Sequence, residues 1–142
     1  MTIEQFCTSL EISKQLKEAG YPQESLFTWI QCEEPDEFSL EKTEHAIELI
    51  KFDGIRDDTG TFHEIFAAPT ASELGEQLPN EIIISEKTHW FLTTWKRQSG
   101  EIAIKYKANE KPDYCPVKIG KTEANARAKM WIYLKQNNLL EK

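Results

Sequence analysis

The segment at residues 90–107, WFLTTWKRQSGEIAIKYK, has the pattern of a β-hairpin. Aromatic and β-branched residues fill the first arm, and Gln98-Ser99-Gly100 supplies the turn between the arms. In the second arm two kinds of residue alternate, as they do in a strand with one buried face. The positions predicted to face inward are Ile102, Ile104 and Tyr106. The positions predicted to face outward are Ala103, Lys105 and Lys107.

Helix signals lie on both sides of this hairpin. The predicted N-cap residues are Thr8, Thr70 and Thr122. In the first two cases a glutamate follows three residues later, which completes a capping box. Gly20 ends the first helix and Asn137-Asn138 ends the last, because both residue types adopt the left-handed conformation. Further short strands are predicted at residues 25–30, 62–68 and 82–85. This mixed order favours an α+β fold, a single domain with a largely antiparallel sheet and helices packed on its faces.

Residues 33–61 are predicted to form a mobile acidic excursion from one domain that spans residues 1–142. Asp53-Gly54 and the residues at 57–60 are typical of turns. Within this region, residues 40–51 fit either a helix or a strand. Ala46, Ile47 and Ile50 recur at helical spacing and favour the helix.

Composition restricts the class of protein. The chain has 142 residues, 39% of them hydrophobic, which is enough for one domain with a packed core. Its apolar runs are far shorter than the roughly 20 residues of a membrane span, and its first residues lack the regions of a signal peptide. Three isolated cysteines exclude a disulfide scaffold and indicate reduced thiols in a cytoplasmic protein.

Charge is divided unequally along the chain. Residues 1–93 carry six Lys/Arg and 19 Asp/Glu, a net charge of −13, whereas residues 94–142 carry eleven and five, a net charge of +6. The total of −7 disfavours binding of bulk nucleic acid. Two interpretations remain: the two parts neutralise each other in the fold, or the basic third forms a surface for an anionic partner.

The predicted last helix, residues 123–136, is apolar around most of its circumference. Ala124, Ala128 and Trp131 form one stripe, and Met130 and Leu134 widen it. A helix this apolar is usually covered on two sides. Either other helices cover it within the chain, or it forms a homo-oligomer interface.

Two features favour binding of a small anionic ligand. Gly120-Lys121-Thr122 places a lysine and backbone N–H groups at a helix N-terminus, which attracts anions. Trp90 and Trp95 lie on opposite faces of one strand, so one of them is available to stack on a nucleotide base. The alternatives are simple helix capping and a sheet covered on both faces. The ligand-binding residues predicted from these features are Trp95, Arg97, Lys105, Lys121 and Arg127.

The sequence contains no motif that predicts a catalytic residue, a cofactor or a metal site. Its three histidines have no metal-ligand spacing, and neither a phosphate-binding loop nor a G-x-S-x-G elbow occurs. A small hydrolase or transferase with a site assembled in space is the alternative. Its members would be His63 or His89, an acid such as Glu64 or Glu73, and Cys115.

Three stretches are distinctive: YPQESLFTW at residues 21–29, APTASELGEQLP at residues 68–79 and TEANARAKMWIYL at residues 122–134. Together they resemble a group of small uncharacterised proteins of phages, prophages and other mobile elements. The resemblance spans most of the chain, thins between residues 32 and 61, and transfers no catalytic residue. It implies a small accessory protein that acts in the cytoplasm of a bacterial host.

The sequence therefore favours a non-enzymatic binding protein that captures a host protein or a small anionic ligand. A virion or assembly component is a further alternative. Neither a membrane nor bulk nucleic acid is an expected partner, and the last helix is the expected site of any homo-oligomer.

Overall fold

The computed structural model describes residues 2–31, 37–47, 64–108 and 116–140. The chain divides into two compact units, Met1–Thr70 and Ala71–Lys142. Each unit combines helices with antiparallel strands, which confirms the predicted α+β class. The described strands form two sheets, one in each unit.

The first unit contains a three-stranded sheet and one long helix. A 3-10 turn at Ile3–Gln5 precedes helix α1 at Leu10–Glu18. The strands are β1 (Phe27–Gln31), β2 (Phe38–Lys42) and β3 (Ile65–Ala67). Strand β1 is central, and both neighbours pair with it antiparallel. At the middle of the sheet Trp29 pairs with Leu40 on one side and with Phe66 on the other.

Helix α1 lies against β3. Leu16 is fully buried, and the ammonium group of Lys17 lies 5.0 Å from the ring centroid of Phe66. The Trp29 indole N–H donates to the carbonyl oxygen of Thr8 at 3.1 Å, just before the helix. Aromatic side chains of the sheet thus fix both the position of the helix and the segment that leads into it.

The N-cap of α1 differs from the prediction by one residue. The Ser9 hydroxyl, not that of Thr8, accepts from a backbone N–H of the first turn, that of Ile12 at 3.3 Å. Thr8 is buried, and its hydroxyl shares a 2.7 Å hydrogen bond with the buried hydroxyl of Ser13. Gly20 ends the helix as predicted, with φ +92°.

Strand β2 was not predicted, because its sequence FSLEK has no clean alternation. Residues 43–47 that follow it are helical, so the ambiguous region from residue 40 begins as strand and continues as helix. Ala46 is buried there. The rest of the predicted acidic excursion, residues 33–36 and 48–61, lies outside the described residues.

The second unit contains a four-stranded sheet and two helices. The helices are α2 (Ala71–Gln77) and α3 (Glu123–Gln136). The strands are β4 (Glu81–Ile83), β5 (His89–Lys96), β6 (Ile102–Ala108) and β7 (Lys118–Gly120). They are adjacent in chain order, and every neighbouring pair is antiparallel. The predicted hairpin is β5–β6, and Gly100 with φ +94° closes its turn.

Helix α3 packs against β6, β7 and α2. Its buried residues lie on more than one face and are Ala124, Ala126, Ala128, Met130, Trp131 and Leu134. The helix is therefore covered on two sides, as its composition predicted, by a sheet and by one helix. Because these side chains are already buried within the chain, they give no support to an oligomer interface.

Both predicted ends of α3 are confirmed. The Thr122 hydroxyl accepts from the backbone N–H of Asn125 at 3.2 Å. At the other end Asn138 adopts φ +56°, and the N–H of Leu139 donates to the carbonyl oxygen of Leu134. Along the described parts of the chain, no helix combines the length and apolar character needed to cross a membrane.

Candidate functional site

The four-stranded sheet has two faces of different character. Ile82, Ile104 and Tyr106 are buried on the face toward α3, and Lys118 on that face reaches the Tyr133 ring of the helix. We call the opposite side the open face. By strand register its residues are Glu81, Ile83, His89, Phe91, Thr93, Trp95, Ala103, Lys105, Lys107 and Ile119.

Three large apolar side chains of the open face are exposed. The exposed fraction is 66% for Ile83, 44% for Phe91 and 39% for Trp95. Phe91 and Trp95 belong to the same strand and lie four residues apart, so both point to the same side. Neighbouring exposed aromatic side chains on one face are typical of a surface that meets a ligand or a partner.

Two lysines of β6 lie among these aromatic side chains. Lys107 is directly opposite Phe91, and Lys105 is directly opposite Thr93. Lys105 is thus diagonal to both aromatic residues, within the reach of long side chains across a strand pair. Lys107 is exposed and Lys105 is half-buried. The open face therefore carries two aromatic rings on β5 and two lysines on the neighbouring β6.

A hydrogen-bonded pair of ionisable groups lies at the β4 end of the open face. His89 Nδ1 and Glu81 Oε2 are 2.8 Å apart, and the His89 ring centroid is 6.4 Å from that of Phe91. The carboxylate of Glu81 is thereby held beside the imidazole. This end of the face carries the one carboxylate that the strand register places on it.

Ala103 differs from the prediction for β6 in its exposure to solvent. It lies on the open face, as predicted, but is fully buried instead of solvent-exposed. Its strand is flanked on both sides, so Trp95 on β5 and Ile119 on β7 are its direct cross-strand neighbours. A methyl group between two large side chains has no access to water.

The structure brings together two of the five predicted ligand-binding residues, Trp95 and Lys105, on the open face. Arg97 follows β5, in the hairpin turn, where its guanidinium lies 3.6 Å from the Glu101 carboxylate. Lys121 is exposed just before the N-cap of α3, and the Thr122 hydroxyl already accepts from the first turn of that helix.

Arg127 is turned toward the interior of the second unit. It donates to the carbonyl oxygen of Ala71 at 2.6 Å and to the Glu123 carboxylate at 2.9 Å. Its guanidinium lies so close to Gly75 that a Cβ there would collide with it. We conclude that Arg127 joins α3 to α2, which is a structural role.

Other basic residues of the last third are also engaged within the unit. The Lys118 ammonium lies 5.0 Å from the Tyr133 ring centroid, and Lys129 donates to the carbonyl oxygen of Ile119 at 2.7 Å. The predicted excess of positive charge is therefore only partly available to a ligand. Lys107 is the exposed basic residue that the sheet register places on the open face, and Lys96, also exposed at the end of β5, belongs to the opposite face.

Sequence reasoning missed Phe91 and Lys107. The signal was present, because residues an even number apart in a strand share a face. Phe91 and Trp95 are separated by four, and Lys105 and Lys107 by two. What the sequence did not supply was the register that places the lysines opposite the aromatic strand.

The residues of the alternative enzymatic site are not assembled by the described structure. His63 and Cys115 lie outside the described residues. Glu64 is exposed beside β3 in the first unit, Glu73 lies in α2, and His89 pairs with Glu81. Within the described ranges, no cluster of three or more His, Cys, Asp or Glu side chains is arranged to hold a metal ion.

Comparison with known proteins adds no assignment to this geometry. Neither the models of protein families, nor the curated proteins, nor the solved structures yield a match to the chain.

Proposed function

We propose that the protein is a non-enzymatic binding protein whose open face captures an anionic ligand that carries an aromatic ring, a nucleotide being the simplest. The observation that supports this is the presence of Phe91 and Trp95 on β5 beside Lys105 and Lys107 on β6, on one exposed sheet face. The resemblance of the sequence to proteins of phages and integrated elements places such a protein in a host cell, as a small accessory factor.

The chemistry of the face suits both parts of a nucleotide. A base stacked on an exposed aromatic side chain gains roughly 1–3 kcal/mol. The phosphate is attracted by an ammonium group on the neighbouring strand, an interaction that salt weakens. Neither contact requires a strand to move, because the register already holds rings and lysines on the same side.

Calorimetric titration of the full chain with nucleoside mono- and triphosphates at low salt tests this proposal. We expect binding that the double substitution Phe91→Ala/Trp95→Ala weakens about tenfold, because it removes both rings on which one base can stack. Lys107→Ala should weaken binding several-fold. Lys121→Ala is the matched control, since it removes an equally exposed lysine before α3 and should leave affinity unchanged.

The affinities of the Lys107→Ala and Lys121→Ala variants show where the ligand binds. If Lys121→Ala weakens binding and Lys107→Ala does not, the ligand lies at the start of α3, as the sequence alone suggested. If no nucleotide is bound at low salt by a correctly folded chain, the proposal is wrong.

Capture of a host protein is the second candidate function. Ile83, the most exposed of the three apolar side chains on the open face, favours it, since an isoleucine contributes nothing to base stacking. An apolar protein interface would be weakened by Ile83→Asp and would persist in high salt. A nucleotide site would lose affinity in high salt. Ile83→Asp would weaken it as well, by repulsion of the phosphate, so the salt dependence separates the two functions.

A further inference from the structure

We infer that the ligand of the open face is a single-stranded oligonucleotide that spans Phe91 and Trp95 together, not a mononucleotide. This inference rests on the proposed function and specifies the substrate class of the same face. It starts from the distance between the two rings along their strand.

The two aromatic residues are too far apart for one base. They are separated by four residues of an extended strand, which corresponds to about 13 Å. One base cannot stack on both rings, so a mononucleotide would use one ring and leave the other exposed. Only a ligand with at least two bases, separated along a backbone, can occupy both.

The lysine positions match the spacing of such a backbone. Thr93 lies between the two aromatic residues on the open face, and Lys105 is directly opposite it. A lysine therefore stands on β6 opposite the midpoint between the two stacking positions, beside the path of the phosphates that connect two stacked bases. Lys107, opposite Phe91, is a second lysine one step further along, and it is exposed.

The two sides of the face differ in charge. On the β4 side, Glu81 is directly opposite Phe91, and its carboxylate is held by His89. On the β6 side, Lys107 and Lys105 are opposite Phe91 and Thr93. The register places Lys96 on the other face of the sheet, and the Arg97 guanidinium is paired with the Glu101 carboxylate at 3.6 Å. Phosphates are therefore favoured along β6 and disfavoured along β4, so we expect the oligonucleotide backbone to follow β6.

A single strand fits this face better than a duplex does. Stacking on Phe91 and Trp95 requires unpaired bases, which a duplex keeps in its interior. The net charge of −7 opposes long-range attraction of any nucleic acid, single-stranded or duplex. The sequence disfavoured bulk nucleic acid, so the inference is limited to a short strand held by local contacts on one face.

A length series of oligothymidylates and oligouridylates, titrated into the full chain at low salt, tests the inference. We expect the hexamer to bind at least tenfold more tightly than the mononucleotide, in one or both series. Phe91→Leu and Trp95→Leu should each weaken the hexamer about tenfold, because they remove a ring but keep an apolar side chain. For the mononucleotide each substitution should change affinity no more than about twofold, since the second ring remains available.

Inorganic polyphosphate is the matched control for charge alone. It should bind far more weakly than the hexamer if stacking contributes, and equal affinity would overturn the inference. Melting curves show whether the leucine variants are folded. Folded leucine variants that retain full affinity for the hexamer would likewise contradict it.

The length series separates this inference from the proposal on which it rests. Equal affinity for mononucleotide and hexamer overturns the inference and leaves the proposed function intact. Absence of binding at every length removes both. If no nucleic acid binds and the protein forms a stable complex with a host protein, the open face serves the second candidate function.

Discussion

Arg127 belongs to the basic third of the sequence, yet the structure uses it internally. Its guanidinium donates to Ala71 and Glu123 beside Gly75, where a larger residue would displace it. Its Nε atom is buried and has no hydrogen-bond partner among the described residues, so the side chain tolerates little further loss of contacts. Charge counts alone cannot distinguish such an arginine from one that binds a ligand.

The effect of Gly75→Ala on the free energy of unfolding should therefore change sign when Arg127 is also replaced, in a double-mutant cycle. We expect Gly75→Ala to lower the free energy of unfolding by ~1–2 kcal/mol, because the guanidinium loses its place beside Ala71. In an Arg127→Met background the same change should stabilise the protein by up to ~1 kcal/mol, the helix propensity of alanine over glycine. Urea denaturation of the four proteins measures the cycle. Equal effects of Gly75→Ala in both backgrounds would contradict the contact.

Trp95 shows how much of the candidate site could be predicted from single residues. The odd spacing to Trp90 predicted that one of the two indoles faces away from the core, and the structure shows that the exposed one is Trp95. Phe91 and Lys107 complete the same face, but their importance depends on which residues of β6 stand opposite β5. That register is a property of the pair of strands and not of either sequence segment.

At the scale of elements, the helix ends were the best predicted features. Gly20, Thr122 and Asn138 act as predicted because each depends on local backbone geometry alone. The start of α1 was wrong by one residue, since Thr8 and Ser9 both carry hydroxyls and burial of Thr8 against Ser13 decides between them. Strand β2 was missed because pairing with β1, not its own sequence, stabilises it.

Ser9→Ala tests the corrected cap of α1. We expect it to lower the free energy of unfolding by about 1 kcal/mol, because the N–H of Ile12 loses its acceptor. Ser72→Ala, at an exposed helical serine of α2, is the matched control and should change stability by less than about 0.5 kcal/mol. Thermal or urea melts measure both. A larger effect at Ser72 than at Ser9 would contradict this assignment.

The junction of β7 and α3 depends on Gly120. A Cβ at this position would lie 2.5 Å from the backbone nitrogen of Ala126, and backbone cannot rotate away as a side chain can. We expect Gly120→Ala to destabilise the protein by ~1–3 kcal/mol, the usual cost of overpacking. Gly100→Ala is a useful comparison, because no atom of the described ranges would lie within 4 Å of its Cβ, and its φ of +94° is what opposes the change. If Gly120→Ala proves neutral in urea denaturation, the close approach of β7 to α3 is wrong.

At the scale of the whole molecule, charge follows the division into two units. Met1–Thr70 carries five Lys/Arg and 15 Asp/Glu, whereas Ala71–Lys142 carries twelve and nine, so the net charges are −10 and +3. The open face therefore lies in the unit with the net positive charge, which attracts an anion. Composition predicted this asymmetry, but only the fold shows which basic residues are engaged internally.

The salt dependence of hexamer binding should reflect two lysines and not the whole basic third. With two phosphates neutralised, the slope of log K against log salt is expected near about −1.4, and Lys107→Ala should reduce its magnitude by about 0.7. Titrations at four salt concentrations measure both slopes. A slope several times steeper would mean that many more basic residues contact the ligand than Lys105 and Lys107.

The central claim is that the open face of the β4–β7 sheet is the binding surface. The most direct test is a two-dimensional ¹H–¹⁵N spectrum of the full chain, titrated with a thymidylate hexamer, in which Trp95→Phe assigns one of the four indole signals. We expect the Trp95 indole and the amides of Phe91, Thr93, Lys105 and Lys107 to shift, while the Trp131 indole, buried in α3, does not. Shifts confined to the start of α3 or to the first unit, with the Trp95 signal unchanged, would contradict the account.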